Sequence, residues 1–323
     1  MNDSQFVEDL VSRYKAGEPL EYVFFWGHQA SKKGVTAACF SQWYLAPFEV
    51  EGQRYVSAEH YMMAEKAALF AGLGAAHAQD ATAEGIAKYR EMLQDGNPAE
   101  LFEMKGEELW KQKRGPKNAS LEQCDLGKGP GVIAGAFVEL PRFFKDTGRV
   151  QDLETRLITC METLQGFKAD EIMRTPFGRG EMANVTALAT YVATASRGMK
   201  FNLPQSHAQE KLMYETGKRL FFTRGGTHDF SCASCHGADD KRIRLQDLPN
   251  LTKNPGDGIG FAAWPAYRVS NAQMWGMQLR LNDCFRQMRW PEPKFGSDAT
   301  LALSVYMGVN AKSAESIVPA IKR

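Results

Sequence analysis

The chain has 323 residues, 44% of them hydrophobic and 24% charged, a composition that fits a globular protein of two or three domains and excludes wholesale disorder. With 39 basic against 38 acidic side chains the formal net charge is +1 and no basic block stands out, so neither a nucleic acid nor an anionic membrane surface is indicated as a partner. Six cysteines (Cys39, Cys124, Cys160, Cys232, Cys235 and Cys284) are too few for a disulfide scaffold of this size, so each needs its own explanation.

Residues 1–66 are aromatic and mixed in character: YVFFW at 22–26, FSQWYLAPFEVEGQRYV at 40–56, with a strand pair expected around Glu51-Gly52, then a helical SAEHYMMAEKA from Ser57. In the elements FFWG, FSQWY, FEV/RYV and SAEHYMMAEKA this stretch resembles the opening half of the NADAR family of N-glycosidases, an α+β fragment. The resemblance implies that Glu59 is the carboxylate that activates water or stabilises an oxocarbenium-like sugar, in a pocket left incomplete because the later Trp- and Gly-rich segment does not follow.

Ala67 to Ala76 (AALFAGLGAA) is about half the roughly 20 residues that a membrane-spanning helix needs, so it is not a span. It runs into Ala76-His77-Ala78-Gln79-Asp80, a small-x-small pattern, and Lys66 precedes it. Residues 67–80 therefore read as the apolar core and cleavage site of a secretory signal, with a buried Ala/Gly/Leu helix as the alternative, and export to the periplasm is expected.

From residue 81 onward the chain repeats itself. Gly106-Glu-Glu-Leu-Trp-Lys-Gln-Lys-Arg-Gly before Cys124 aligns without a gap on Gly217-Lys-Arg-Leu-Phe-Phe-Thr-Arg-Gly-Gly before Cys235. Arg156-Leu157…Cys160 matches Arg280-Leu281…Cys284, and Pro176-Phe177-Gly178 with a helix from Thr186 to Ala195 matches Lys294-Phe295-Gly296 with a helix from Thr300 to Met307. Matches in one order imply two copies of a mainly α domain, 81–202 and 203–323, with loops at 127–130 and 254–258. Leu212, Met213, Leu220 and Phe221, and likewise Leu301, Val305 and Tyr306, recur at helical spacing and are expected in the core.

Cys232-Ala-Ser-Cys235-His236 is a C-x-x-C-H. Two thiols one turn apart can both add to haem vinyl groups while the next side chain puts an imidazole on the iron, so one covalent haem c is expected, with Cys232 and Cys235 as thioether links and His236 as proximal ligand. A zinc site would want a second ligand pair and a dithiol redox motif a thioredoxin-like context, and neither is visible. The first copy has Leu121, Cys124 and Asp125 at the equivalent positions, so it should not hold haem. Its Cys124 and Cys160 then form either a disulfide, in an oxidising compartment, or two buried free thiols.

Opposite His236 a plain electron carrier would place a methionine, and Met274, Met277 and Met288 are available. Cys284 competes with them: it lies in Arg280-Leu-Asn-Asp-Cys-Phe-Arg-Gln-Met-Arg289, where Arg280, Arg286 and Arg289 would favour a thiolate and attract an anionic sulfur compound. The bland alternative is a buried small hydrophobe.

In GEELWKQKRGPKNASLEQCDLGKGPG, RVQDLETRL, TLQGF, CASCHGADD and RLNDCFRQMRWP, residues 81–323 resemble the SoxA family, the cytochrome subunits of L-cysteine S-thiosulfotransferases, over the whole mature length. Some members carry two haems and others one, and Leu121 with Asp125 places this chain among the latter. The resemblance implies that Cys284, as a persulfide, is the distal haem ligand and the site where thiosulfate is joined oxidatively to a carrier cysteine. Arg280, assisted by Arg286 or Arg289, would orient the thiosulfate. Electrons would pass to a SoxX cytochrome, and the sulfur acceptor would be the SoxYZ carrier.

Overall fold

The computed structural model describes residues 46–50, 52–64, 97–243, 246–253 and 259–322. Residues 1–89 and 90–323 form two separate compact units. The signal-like segment 67–80, Cys39 and the loop 254–258 lie outside the described residues.

In the first unit the expected strand pair forms: β1 (Phe48–Val50) pairs antiparallel with β2 (Gln53–Tyr55) across Gly52, whose φ of 78° suits glycine. Residues 58–64 are helical, and Glu59 on that turn is buried with Oε2 unpaired among the described residues.

The second unit is helix-rich, and its two sequence copies share one continuous core rather than folding around two. The first half contributes α1 (Ala99–Lys111), hairpin β3 (Arg142–Phe144) and β4 (Arg149–Gln151), then α2 (Leu153–Cys160), α3 (Ala169–Arg174) and α4 (Gly180–Thr194). The second half contributes α5 (Ala208–Phe222), α6 (Cys232–His236), the two-residue pair β5 (Arg242–Ile243) and β6 (Gln246–Asp247), and α7 (Ile259–Ala262). Hairpin β7 (Ala266–Arg268) and β8 (Gln273–Trp275) follows, then α8 (Met277–Gln287) and α9 (Asp298–Asn310), and β9 (Ala320–Lys322) lies parallel to β7.

Both halves are built on the same crossing. Helix α1 packs on α4 at Gly106, where a Cβ would collide with the Ala187 carbonyl and the Tyr191 side chain; α5 packs on α9 at Gly217, where it would collide with the Ala302 carbonyl and Tyr306. A glycine inside a helix costs about 1 kcal/mol relative to alanine, so two at equivalent places mark close backbone approach. Beside each crossing sits the same aromatic pair, Trp110 with Tyr191 and Phe221 with Tyr306. The following turn repeats too: bridge Arg114–Ala119 with left-handed Asn118 in one half, Gly225–Phe230 with left-handed Asp229 in the other.

The repeat is longer than its sequence matches suggest. Leu140-Pro141 and Trp264-Pro265 are both cis, a short hairpin follows each, and a helix carrying Arg156…Cys160 or Arg280…Cys284 follows each hairpin, in register throughout. Phe177 and Phe295, matched by sequence, meet with ring centroids 5.9 Å apart. Leu301, Val305 and Tyr306 are buried as expected. The other expected stripe is not: on α5, Phe221 is buried but Leu212 is 55% exposed, because the face that packs is the one containing Gly217.

Candidate functional site

Ser231 caps α6, accepting the Ser234 amide while Ser234 Oγ accepts the Ser231 amide, so the C-x-x-C-H stretch starts as a single closed helical turn. His236 Nδ1 lies 2.9 Å from the Pro249 carbonyl oxygen. A carbonyl only accepts, so Nδ1 must carry the proton and Nε2 is left with its lone pair free for a metal. Burial, the larger influence, and the nearby Arg280 charge lower the His236 pKa, which keeps the imidazole neutral as a ligand must be.

Cys232, Cys235, His236 and Cys284 line one cavity of about 840 Å³, within the 300–1,000 Å³ range of cofactor sites. Its walls include Phe221, Leu281, Leu303 and Met307 from α5, α8 and α9. The donor set fits a c-type haem: a large apolar slot, two sulfurs one turn apart, an imidazole in the right tautomer and a third sulfur in the same space. Of the three candidate methionines, Met277 and Met288 line this cavity and Met274 does not.

The electrostatics around Cys284 correct one expectation. Burial raises its thiol pKa, and this outweighs the pull of Arg280 and Arg268 toward the thiolate, which Asp283 and Cys235 oppose. Cys232, buried beside Cys284, is pushed up to about 12. Arg286 and Arg289 are exposed and do not line the cavity. Asp283 accepts hydrogen bonds from both Arg280 (3.0 Å) and Arg286, so Arg286 is spent on the helix surface. Arg268, which sequence reading missed, lines the cavity instead, its guanidinium 5.1 Å from the Trp275 ring centre and its Nε buried without a partner among the described residues.

The equivalent place in the first half is closed. Cys124 and Cys160 form the disulfide, with their Cα atoms 5.6 Å apart. Leu121, standing where Cys232 stands, is wholly buried, and Leu126, Leu157 and Met161 fill the interior around it. Asp125, in the place of His236, accepts the amides of Gly127 (2.7 Å) and Gly129 (3.0 Å), so the ligand position has become a turn.

The SoxA/TsdA cytochrome c domain family matches residues 105–201, in the half that lacks the C-x-x-C-H. L-cysteine S-thiosulfotransferase subunit SoxA of Hydrogenophilus thermoluteolus is 56% identical over 240 residues, covering 74% of this chain and 88% of the relative. The chain belongs to the SoxA family. The Hydrogenobacter thermophilus subunit of the same name is 34% identical, over 76% of this chain and 91% of that SoxA. The SoxXA crystal structure from P. pantotrophus shares the fold, with a TM-score of 0.61 at 24% identity over 73% of this chain and 84% of that one. None of these comparisons supports the NADAR resemblance of residues 1–66. No helix among the described residues is long and apolar enough to cross a membrane.

Proposed function

We propose that this chain is the SoxA subunit of a periplasmic L-cysteine S-thiosulfotransferase, built as two tandem cytochrome c-like domains of which only the second holds haem. The carrying observation is that Cys284 and Arg280 share the cavity of Cys232, Cys235 and His236. In this reading Cys232 and Cys235 would hold one haem through thioethers, His236 would ligate its iron through Nε2, and Cys284, bearing an added sulfur, would complete the donor set. The bound haem supplies a one-electron relay to a SoxX partner cytochrome.

The chain's own residues do the rest. Arg280 binds the sulfonate end of thiosulfate and turns its sulfane sulfur toward Cys284, and the low-dielectric walls strengthen that attraction. A cysteine thiol of the SoxYZ carrier joins that sulfane sulfur. The S–H bond breaks, an S–S bond forms, and one proton and two electrons leave for each thiosulfate conjugated. Asp283 holds the Arg280 guanidinium in place from its other edge.

A second reading, a plain electron-transfer cytochrome, is favoured by Met277 and Met288 lining the same cavity. The Cys284→Ala protein, assembled with its partner cytochrome, separates the two: it should keep haem and lose thiosulfate- and carrier-dependent turnover. Turnover that survives the substitution would sink the transferase reading.

A further inference from the structure

The two halves differ at one pair of positions that the shared register makes directly comparable. In the first half Arg156 is 4.0 Å from the centre of the Phe144 ring and is tied to Asp146 Oδ2 at 2.7 Å and to the Asp125 carbonyl oxygen at 2.6 Å, so its charge is fully accommodated. Its counterpart in the second half is Arg280, and the counterpart of Phe144 is Arg268: each ends the first strand of the hairpin that follows a cis-proline. At the position where the first half places that aromatic partner the second half has a second guanidinium, and Arg280 lies instead 5.7 Å from the centre of the Trp264 ring.

Two like charges at a shared cavity repel, and the cost rises as water is excluded. Arg268 bears that cost: burial first, and the Arg280 charge second, act against its protonated form, more than Asp283 and Cys284 offset, and its Nε is buried with no acceptor among the described residues. Asp283 favours the charged Arg268 only through space: the hydrogen bonds its carboxylate accepts come from Arg280, Arg286 and Gln287. Both guanidinium groups act on the Cys284 sulfur. Beside Arg268, on the parallel strand β9, Lys322 also lines the cavity. Two cations act on one sulfur here, where the closed half has a single guanidinium already paired with Asp146, and such an arrangement is completed by a small dianion.

We infer that Arg268 is a second substrate-positioning residue, which together with Arg280 clamps the sulfonate of thiosulfate beside Cys284. This rests on the transferase reading above. It adds that orientation, and not attraction alone, is set by a residue of the β7 hairpin that lies outside the cysteine-bearing helix.

The test compares wild type, Arg268→Gln and Arg268→Lys, each as holoprotein assembled with the partner cytochrome. Two quantities are read: KM and kcat for thiosulfate with the carrier present, and, without turnover, the thiosulfate concentration that half-saturates the change in the visible spectrum of the oxidised protein. Loss of a charge-assisted contact should raise KM and the half-saturating concentration on the order of tenfold to a hundredfold in Arg268→Gln, with haem content and resting spectrum unchanged. Arg268→Lys keeps the charge but loses the fork, and should show a severalfold rise. An unchanged KM in both variants overturns the inference. So does a changed resting spectrum or haem content with unchanged KM, which would make Arg268 a partner of the haem carboxylates. If Arg268→Gln fails to accumulate, an unchanged KM in Arg268→Lys is enough to overturn it. A wild type without thiosulfate-dependent turnover would sink the transferase reading itself, and this inference with it.

Discussion

Glu154, in the closed half, accepts the backbone amide of Gln278 at 3.2 Å, and Gln278 is the residue that occupies Glu154's own place in the repeat. The first turn of α8, the helix of Arg280 and Cys284, is therefore satisfied by a carboxyl from the other half. Asp152 completes the clasp by accepting Gln278 Nε2 at 2.6 Å, and Gln278 Oε1 accepts the Gly296 amide at 3.2 Å. The site half is thus anchored by a half whose own equivalent pocket is filled by side chains and a disulfide, which gives the closed half a structural purpose.

That clasp makes stability depend on pH. Complete burial, with the Asp152 charge adding to it, raises Glu154 from an ordinary 4.5 to about 8. An acid whose folded pKa is raised binds more protons folded than unfolded between those two values. Its contribution is therefore fully present below about pH 4.5 and is lost as pH rises toward 8, with a slope of at most about 1.4 kcal/mol per pH unit. Glu154→Gln keeps an acceptor for the Gln278 amide and removes the titration. Melting temperatures taken from pH 5 to pH 9 should fall less steeply in this variant than in wild type, and parallel curves would disprove the assignment.

The helix crossings give a prediction that touches no ligand. Adding one methyl at Gly217 drives it into the Ala302 backbone carbonyl, which cannot swing aside as a side chain can. Gly217→Ala should destabilise by about 1–3 kcal/mol or more, and Gly106→Ala, which meets the Ala187 carbonyl, by a similar amount. A control such as Gly129→Ala, where nothing stands within 4 Å but φ is +102°, reports the backbone strain alone. Denaturant midpoints for the three would separate crowding from strain; equal losses would mean that the crossings are looser than they look.

Much of this was legible in the sequence because it depends on spacing along the chain. C-x-x-C-H is one helical turn, Cys124 and Cys160 are the repeat partners of Cys235 and Cys284, and the loss of histidine at Asp125 closes the first pocket. What could not be read depends on contacts between distant segments. Arg268 hides because its repeat partner is Phe144, in a three-residue strand too short to show periodicity. Leu212 misleads because hydrophobic spacing cannot register a face that packs through a glycine. Arg286 and Arg289 are near Cys284 in sequence, but α8 turns Arg286 to solvent and Arg289 lies exposed beyond the helix end, while Arg280, one turn before the cysteine, lines the cavity.

The Cys124–Cys160 bridge closes a 36-residue segment and sits where the other half keeps its cavity. Replacing both cysteines by alanine should cost about 2–4 kcal/mol, mostly by releasing the unfolded chain from a loop constraint. The bridge lies in the half that lacks the C-x-x-C-H, and neither of its cysteines lines the cavity of His236 and Cys284, so the haem spectrum at pH 7 should not change. A lower melting temperature with an unaltered spectrum is the expected pair of results; a spectral shift would show that the closed half tunes the site directly.

The sulfur that faces His236 can be identified by elimination among four side chains of the same cavity, Cys284, Met277, Met288 and Met307. Met277, at the start of α8, also borders the small cavity lined by Asp152 and Glu154, and Met288 follows the end of the helix with its backbone amide on the Cys284 carbonyl at 3.0 Å. Both are held by packing that leucine can reproduce at a cost usually below about 1.5 kcal/mol. Met277→Leu, Met288→Leu and Met307→Leu, the last a buried residue of α9, should each leave the visible and near-infrared spectra of the oxidised protein as they are. Cys284→Ala should shift them, because a thiolate- or persulfide-type donor gives the iron a different field from any replacement available within reach. If instead the spectrum follows Met288 and ignores Cys284, the cavity belongs to an electron carrier, and the buried cysteine is only a small apolar side chain.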